Sequence, residues 1–248
     1  MGRLNGKVAI VTGAGQGFGQ GIAETFAREG AIVAVVDIDI EKARAVARGM
    51  GDALALQCDV SKASDVEACV ATTLNSHGRV DIVVNNAGIS HRNQPMLDVG
   101  EEEFDRVFAV NVKSIYLFAR AAVPVMRRQG GGVILNIGST AGIRPRPGLT
   151  WYNASKGAVN LMSKSMAVEL APDRIRVNAI APVAGETPLL ATFMGEDTPE
   201  KRAAFRASIP WGRLSTPDDI AKAAVYLCSD DAEMVTGEVL QVDGGRCI

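Results

Sequence analysis

Ser139, Tyr152 and Lys156 are the residues of this 248-residue chain whose types and spacing point most directly to chemistry. They lie in the run I-G-S-T-A-G-I-R-P-R-P-G-L-T-W-Y-N-A-S-K, residues 137–156. The run opens at the end of an apolar stretch, 133–137, that reads as a buried strand. It crosses a Gly/Pro-rich loop and enters a periodic segment, 151–170, that reads as a helix. Tyr152 and Lys156 are four apart, so a helix places them on one face, one turn from each other. A free phenol has a pKa near ~10, so at neutral pH on the order of one in a thousand is ionised. A neighbouring ammonium favours the phenolate and lowers that value. A Tyr–Lys pair one turn apart, facing a strand-end Ser, is a device for moving a proton. Taken alone, Y-x-x-x-K also fits an ordinary solvated helix face, so the surrounding elements must decide.

Those elements alternate. Residues 8–12, 31–37, 53–59, 80–85, 133–137, 176–180 and 239–242 read as strands. Residues 22–28, 41–48, 65–75, 101–128, 151–170 and 217–228 read as helices. Strand and helix in turn mean βαβ units with right-handed crossovers. The expected fold is α/β: a Rossmann-type doubly wound parallel sheet of seven strands with helices on both faces, in a single domain, 1–248. The one long segment outside the alternation, about 183–213, follows the sixth strand and is rich in Pro and charge, as lids at strand C-terminal ends are.

Composition excludes other classes. With 47% hydrophobic and 22% charged residues the chain buries a large core, and a net charge of -2 with no basic run of five gives no nucleic-acid footprint. The apolar runs are too short to span a membrane. Residues 1–12 lack the apolar length and A-x-A site of a signal peptide, and Gly6 stands where myristoylation needs Ser or Thr. Cys58, Cys69, Cys228 and Cys247 show no C-x-x-C spacing, which predicts free thiols and a cytoplasmic protein. His77 and His91 are isolated, so no metal site is expected.

The loop after the first strand, T-G-A-G-Q-G-F-G at 12–19, departs from G-x-G-x-x-G, because Phe18 stands at the third glycine. Gly13, Gly17 and Gly19 still permit a tight turn and let a pyrophosphate approach a helix N-terminus. Asp37 closes the second strand eighteen residues past Gly19 and suits the ribose hydroxyls of an adenosine. Gln16 and Ile38 bring no cation for a 2′-phosphate, so NAD is expected over NADP. Asp39 is a second candidate for the same role.

The chain here resembles the short-chain dehydrogenase/reductase family over nearly its whole length. The resemblance rests on T-G-x-x-x-G-x-G at 12–19, C-D-V at 58–60, N-N-A-G at 85–88, V-N-V at 110–112, Ser139, Y-N-A-S-K at 152–156, V-N-A-I-A-P at 177–182 and V-D-G-G at 242–245. It implies a tetrad of Asn111, Ser139, Tyr152 and Lys156. Tyr152 would exchange the proton, Lys156 would lower its pKa and hold the nicotinamide ribose, Ser139 would position the substrate oxygen, and Asn111 would anchor a relay water. The same resemblance places Gly13, Gln16, Gly17, Phe18 and Gly19 at the cofactor phosphates, and Asp37 and Ile38 at the adenosine ribose. Asp59 and Val60 fall at the adenine, and Asn86, Ala87 and Gly88 at the inner ribose. Pro182, Val183, Gly185 and Thr187 fall at the nicotinamide. Val183 replaces the glycine that usually follows the proline. The family is usually a symmetric tetramer built on the helices at 101–128 and 151–170.

By the same resemblance the substrate meets His91, Arg92, Ser139, Arg144, Arg146, Trp151 and Glu186. Basic residues on two of those loops suggest a carboxylated or sulfonated alcohol, or a sugar. Equally, Arg144 and Arg146 could point to solvent. The implied activity is NAD-dependent oxidation or reduction at an alcohol or carbonyl carbon. The rival readings are a cofactor-binding sensor or scaffold without turnover, and a 3-oxoacyl-carrier-protein reductase.

Overall fold

The computed structural model of the chain describes residues 2–248. Seven strands form one parallel sheet in the order β3-β2-β1-β4-β5-β6-β7. They are β1 Val8–Thr12, β2 Ile32–Asp37, β3 Leu54–Gln57, β4 Ile82–Asn85, β5 Gly132–Ile137, β6 Ile175–Pro182 and β7 Val239–Val242. The central strands are apolar without alternation, as strands covered on both faces must be; all five residues of β1 are buried.

One face is covered by α1 (Gly17–Arg28), α2 (Ile40–Ala47) and α9 (Pro217–Cys228), which bury Ile22, Phe26, Val46, Ile220 and Val225 against it. The other face is covered by α3 (Ala63–His77), α5 (Ser114–Gln129) and α6 (Thr150–Leu170), through Val66, Val70, Phe118, Met126, Ala167 and Leu170. The order reverses between β1 and β4, which are neighbours. A doubly wound sheet opens its ligand crevice at that point, beyond the strand C-termini.

The helix expected over 101–128 is interrupted. It runs as α4 (Glu101–Phe108), a π turn (Ala109–Lys113) and then α5. The stretch Glu101–Gln129 is long and apolar enough to cross a bilayer, contrary to the reading from run lengths. Its apolar side, including Ile115, Leu117, Phe118 and Met126, is buried in the protein core.

The segment after β6 holds α7 (Leu189–Met194) and α8 (Pro199–Ala207), closed over its own small core of Val183, Leu190, Met194, Ile209 and Leu214. Cys58, Cys69 and Cys228 are buried and all four thiols are free.

Candidate active site

The C-terminal ends of β1, β2, β4, β5 and β6 converge on a cleft of about 840 Å³. Its first wall is the turn from β1 into α1. Gly13 and Gly17 both have φ +60°, a left-handed conformation open to glycine and costly for other residues. A Cβ on Gly19 would stand 2.2 Å from the Gly13 carbonyl oxygen, so this third glycine permits the close return of helix onto loop rather than lining the cleft. No side chain caps α1, and its first turn carries no acid. Its free N–H groups and the helix dipole are therefore a fit for a pyrophosphate.

Asn86 ties β4 to this turn, donating from Nδ2 to the carbonyls of Thr12 (2.8 Å) and Gly13 (3.1 Å). Asp37 accepts from the Gly15 N–H (2.9 Å) and the Asp39 N–H (3.0 Å), and lies on the cleft wall with Ile38. Asp39 does not share that place. It caps α2, accepting from the N–H groups of Glu41 and Lys42. A cation absent from the sequence reading, Lys42, donates to Gln16 Oε1 (3.2 Å), but it flanks a different groove. Asp59 and Val60 follow β3 onto the wall, and a hydrogen bond from Ser61 holds the Asp59 carboxyl below its usual range.

Phe18, at the position of the missing third glycine, has its counterpart across the cleft. A Cβ on Gly185 would come within 2.2 Å of the Phe18 ring. Val183 is buried in the lid core and continues the sheet, its N–H bonding the Val242 carbonyl (3.2 Å). The backbone therefore passes the cleft without a glycine at 183. Pro182, Val183, Gly185 and Thr187 all line it.

The inner end holds the four polar residues. Asn111 is buried in the π turn, where the extra residue turns its side chain away from α5. Its Oδ1 accepts from the Ile89 N–H (2.9 Å), and its Nδ2 donates to the Ile89 carbonyl (2.9 Å) and to Ser155 Oγ (3.0 Å). Lys156 Nζ donates to the Ile137 carbonyl (2.8 Å). Asn111 Oδ1 and Lys156 Nζ flank Gly88, each 3.4 Å from where a Cβ would sit. The Ser139 loop lies against α6 because Gly142 has no side chain; a Cβ there would stand 2.6 Å from the Gly157 nitrogen. Asn160 Nδ2 donates to the Ser139 carbonyl (3.3 Å). Tyr152, Ser139 and Lys156 line the cleft.

Burial pushes the Tyr152 phenol up to about 12, against a smaller opposing hydrogen bond with Ser139. Burial pulls the Lys156 ammonium down to about 8. The first direction is opposite to the expectation that Lys156 sets Tyr152 below its usual value: burial is the larger influence and Ser139, not Lys156, opposes it.

Of the residues expected around the substrate, only Ser139 lines this cleft. His91 is fully buried beneath the start of α6; its Nε2 accepts from the Tyr152 N–H (3.4 Å) and its Nδ1 faces the Arg92 carbonyl (2.9 Å). It completes the first turn of a helix whose N-cap, Leu149, offers no side-chain acceptor. Trp151 packs edge-on against Phe104 and donates to the Met96 carbonyl. Arg92 and Glu186 are exposed. The Pro-rich loop turns Arg144 and Arg146 toward the C-terminal segment and α8. The cleft wall instead carries the apolar Ile89, Val183, Leu189 and Phe193, the last with its ring 5.0 Å from that of Tyr152. Asp105 and Arg106 of α4 also line the cleft. Apart from Val183, no motif marked these residues; they arrive through tertiary packing.

A doubly wound sheet, a glycine turn at an uncapped helix and a buried Tyr–Lys pair define a nicotinamide-dependent oxidoreductase. Residues 13–246 match the family profile described as "Enoyl-(Acyl carrier protein) reductase". The chain is 50% identical to 4-formylbenzenesulfonate dehydrogenase of Comamonas testosteroni, with 99% of each chain covered. It is 40% identical to a cyclopentanol dehydrogenase of a Comamonas species, over 99% of this chain and 98% of the relative. It superposes with a TM-score of 0.94 and 53% identity on a crystal structure of 3-ketoacyl-(acyl-carrier-protein) reductase from Brucella melitensis complexed with NADH, covering 99% of this chain and 100% of that one. The chain belongs to the short-chain dehydrogenase/reductase family. It is an oxidoreductase that moves a hydride between a nicotinamide cofactor and an alcohol or carbonyl carbon.

Proposed function

We propose that the protein is an NAD-dependent dehydrogenase with Tyr152 as its acid/base, acting on an alcohol or carbonyl compound with an apolar, ring-sized body. The observation that carries this is the buried Tyr152 phenol, with Ser139 and Lys156 beside it on the cleft wall and the Phe193 ring 5.0 Å from its own, in a cleft that Ile89 and Leu189 also line. The cofactor would supply or accept the hydride. The α1 N-terminus would hold its phosphates, Asp37 its adenosine ribose, and Lys156 with Asn86 its inner ribose. Asp37 would meet a 2′-phosphate with like charge, which is the ground for NAD over NADP.

Ser139 and Tyr152 together would hold the substrate oxygen. In reduction the phenol donates its proton to that oxygen; in oxidation it receives it. With burial keeping Tyr152 protonated, its role as donor needs no preparation, whereas its role as base requires the proton to leave through Lys156. Asn111, fully partnered in the π turn, would hold the water that continues the path.

A sulfonate on the ring would agree with the printed name of the 50% identical relative. Arg106 is the only arginine on the cleft wall among the described residues, so it is the cation within the cleft that such a charge would meet. A second reading, reduction of a 3-ketoacyl carrier-protein thioester, is favoured by the likeness to the 53% identical 3-ketoacyl-(acyl-carrier-protein) reductase of Brucella melitensis. We also propose a homotetramer, supported by exposed apolar residues on α5 and α6.

The test is a panel of cyclic, aromatic and sulfonated alcohols with NAD or NADP, run beside 3-ketoacyl thioesters with NADH. NADH formation from ring alcohols, with NAD favoured at least roughly tenfold in kcat/KM, or about 1.4 kcal/mol, is the expected result. Equal efficiency with NADP would overturn the role of Asp37. Turnover of the thioesters alone would favour the second reading.

A further inference from the structure

Arg144 and Arg146 leave the cleft to meet a third arginine. Arg144 reaches across to the C-terminal segment, donating from Nη1 to the Arg246 carbonyl (2.6 Å). Arg146 lies over the Phe205 ring of α8, 4.3 Å from its centroid, and reaches Ser208 Oγ (3.4 Å). Arg246 is buried, with 9% of its surface exposed, and its Nε and Nη1 are buried with no hydrogen-bond partner among the described residues.

A buried guanidinium without an acceptor is expensive, and two more nearby raise the cost. No Asp or Glu side chain among the described residues is ion-paired with any of the three, and Arg144 Nη1 also donates, at 3.5 Å, to the terminal oxygen of Ile248, on the exposed side of the cluster. Asp243, the acid of the same turn, is engaged elsewhere: its oxygens accept from the N–H groups of Gly245 (2.9 Å) and Cys247 (2.8 Å). Burial, then repulsion from Arg246 and Arg144, pulls Arg146 down to about 10. The two buried donors of Arg246 therefore face no acceptor, and no side-chain anion offsets the three charges.

We propose that Arg144, Arg146 and Arg246 form a site for a small oxyanion of the phosphate or sulfate class, separate from the nicotinamide cleft. Guanidinium forks match such oxygens in geometry, and the contacts are charge-assisted. Arg246 would supply its two unpartnered donors, and Arg146 would close from the loop before α6, where it lies over Phe205 of α8. The ion would tie together the loop between Ser139 and Tyr152, the lid helix α8 and the C-terminal segment. None of the three arginines lines the cleft, so the site is distinct from the glycine turn, which is itself able to take phosphate.

The experiment is equilibrium dialysis of the full chain with radiolabelled phosphate or sulfate at constant ionic strength in chloride. It is run with saturating NADH, whose binding is followed by its own fluorescence and which occupies the glycine turn. Wild type is expected to take up one anion per chain. Arg246→Gln and Arg146→Gln are expected to weaken uptake roughly ten- to a hundredfold. Arg202→Gln, which removes an exposed arginine paired with Asp197, is expected to leave it unchanged. Circular dichroism melts verify folding; if Arg246→Gln does not fold, the exposed Arg144→Gln carries the comparison and should also weaken uptake. No uptake by NADH-loaded wild type above the chloride control would overturn the site, as would equal uptake by the folded arginine variants. If NADH fluorescence shows no binding, the reading of the cleft fails, and the difference between Arg246→Gln and wild type still decides the anion site.

Discussion

Burial favours the uncharged form of both Tyr152 and Lys156, and this has a consequence for stability that can be measured apart from catalysis. The folded chain holds Lys156 at about 8, below its ordinary 10.5. Between those values the unfolded chain binds a proton that the folded chain does not, so stability rises with pH across the window and falls as pH drops through it. Lys156→Met removes this dependence. In urea unfolding, wild type should lose stability relative to the variant as pH falls from about 10.5 to 8, by roughly 3 kcal/mol in all. A constant difference across that range would show that Lys156 is not desolvated. The spacing of Tyr152 and Lys156 put them on one helix face, and the surrounding motifs, not the spacing alone, marked them as a pair that moves a proton. The rise in the Tyr152 pKa was not legible, because desolvation depends on what covers the ring, and Phe193 arrives from a distant part of the chain.

At the scale of elements, alternating apolar runs and turn residues announced the sheet, its seven strands and the helices around it. Boundaries moved by one or two residues at most strands, while α1 starts five residues earlier than its apolar pattern, at Gly17. The π turn at Ala109–Lys113 left no trace in periodicity, since one extra residue in a ridge of apolar side chains still reads as helix. The resemblance nevertheless placed Asn111 in the site. The loop of Arg144 and Arg146 shows the opposite case. Its order in the chain put it beside the substrate, but Pro145 and Pro147 constrain its path, and the side chains turn to α8 and the C-terminal segment. Phe18 and Gly185 form a coupled departure from the usual glycine loop. Gly185→Ala would drive a methyl into the Phe18 ring and should cost about 1–3 kcal/mol in unfolding free energy. Phe18→Leu in the same chain should restore part of that loss, with a coupling of about 0.5–3 kcal/mol. Strict additivity of the two changes would show that the contact does not form.

Across the whole molecule, the faces left uncovered are informative. Leu161 and Val168 are 67% and 81% exposed and lie seven residues apart, on one side of α6; Tyr116 of α5 is 53% exposed. Such residues normally find cover, and helix faces of this kind suit a closed symmetric assembly. Light scattering on the eluting protein should give four times the 26.1 kDa chain mass. Leu161→Asp with Val168→Asp should lower it. A wild-type species at the mass of one chain, at micromolar concentration, would reject the tetramer.

The measurement that bears most directly on the central claim is Tyr152→Phe, assayed for both turnover and NADH binding. The substitution keeps the ring against Phe193 and removes only the oxygen that carries the proton. The proposed cofactor contacts lie elsewhere, on the glycine turn, Asp37 and Lys156. NADH affinity, read by fluorescence titration, should therefore stay within about twofold of wild type, while kcat falls by more than roughly a hundredfold, as loss of a general acid/base does. A variant that retains more than about a tenth of wild-type kcat would contradict the assignment of Tyr152, whatever its affinity for NADH.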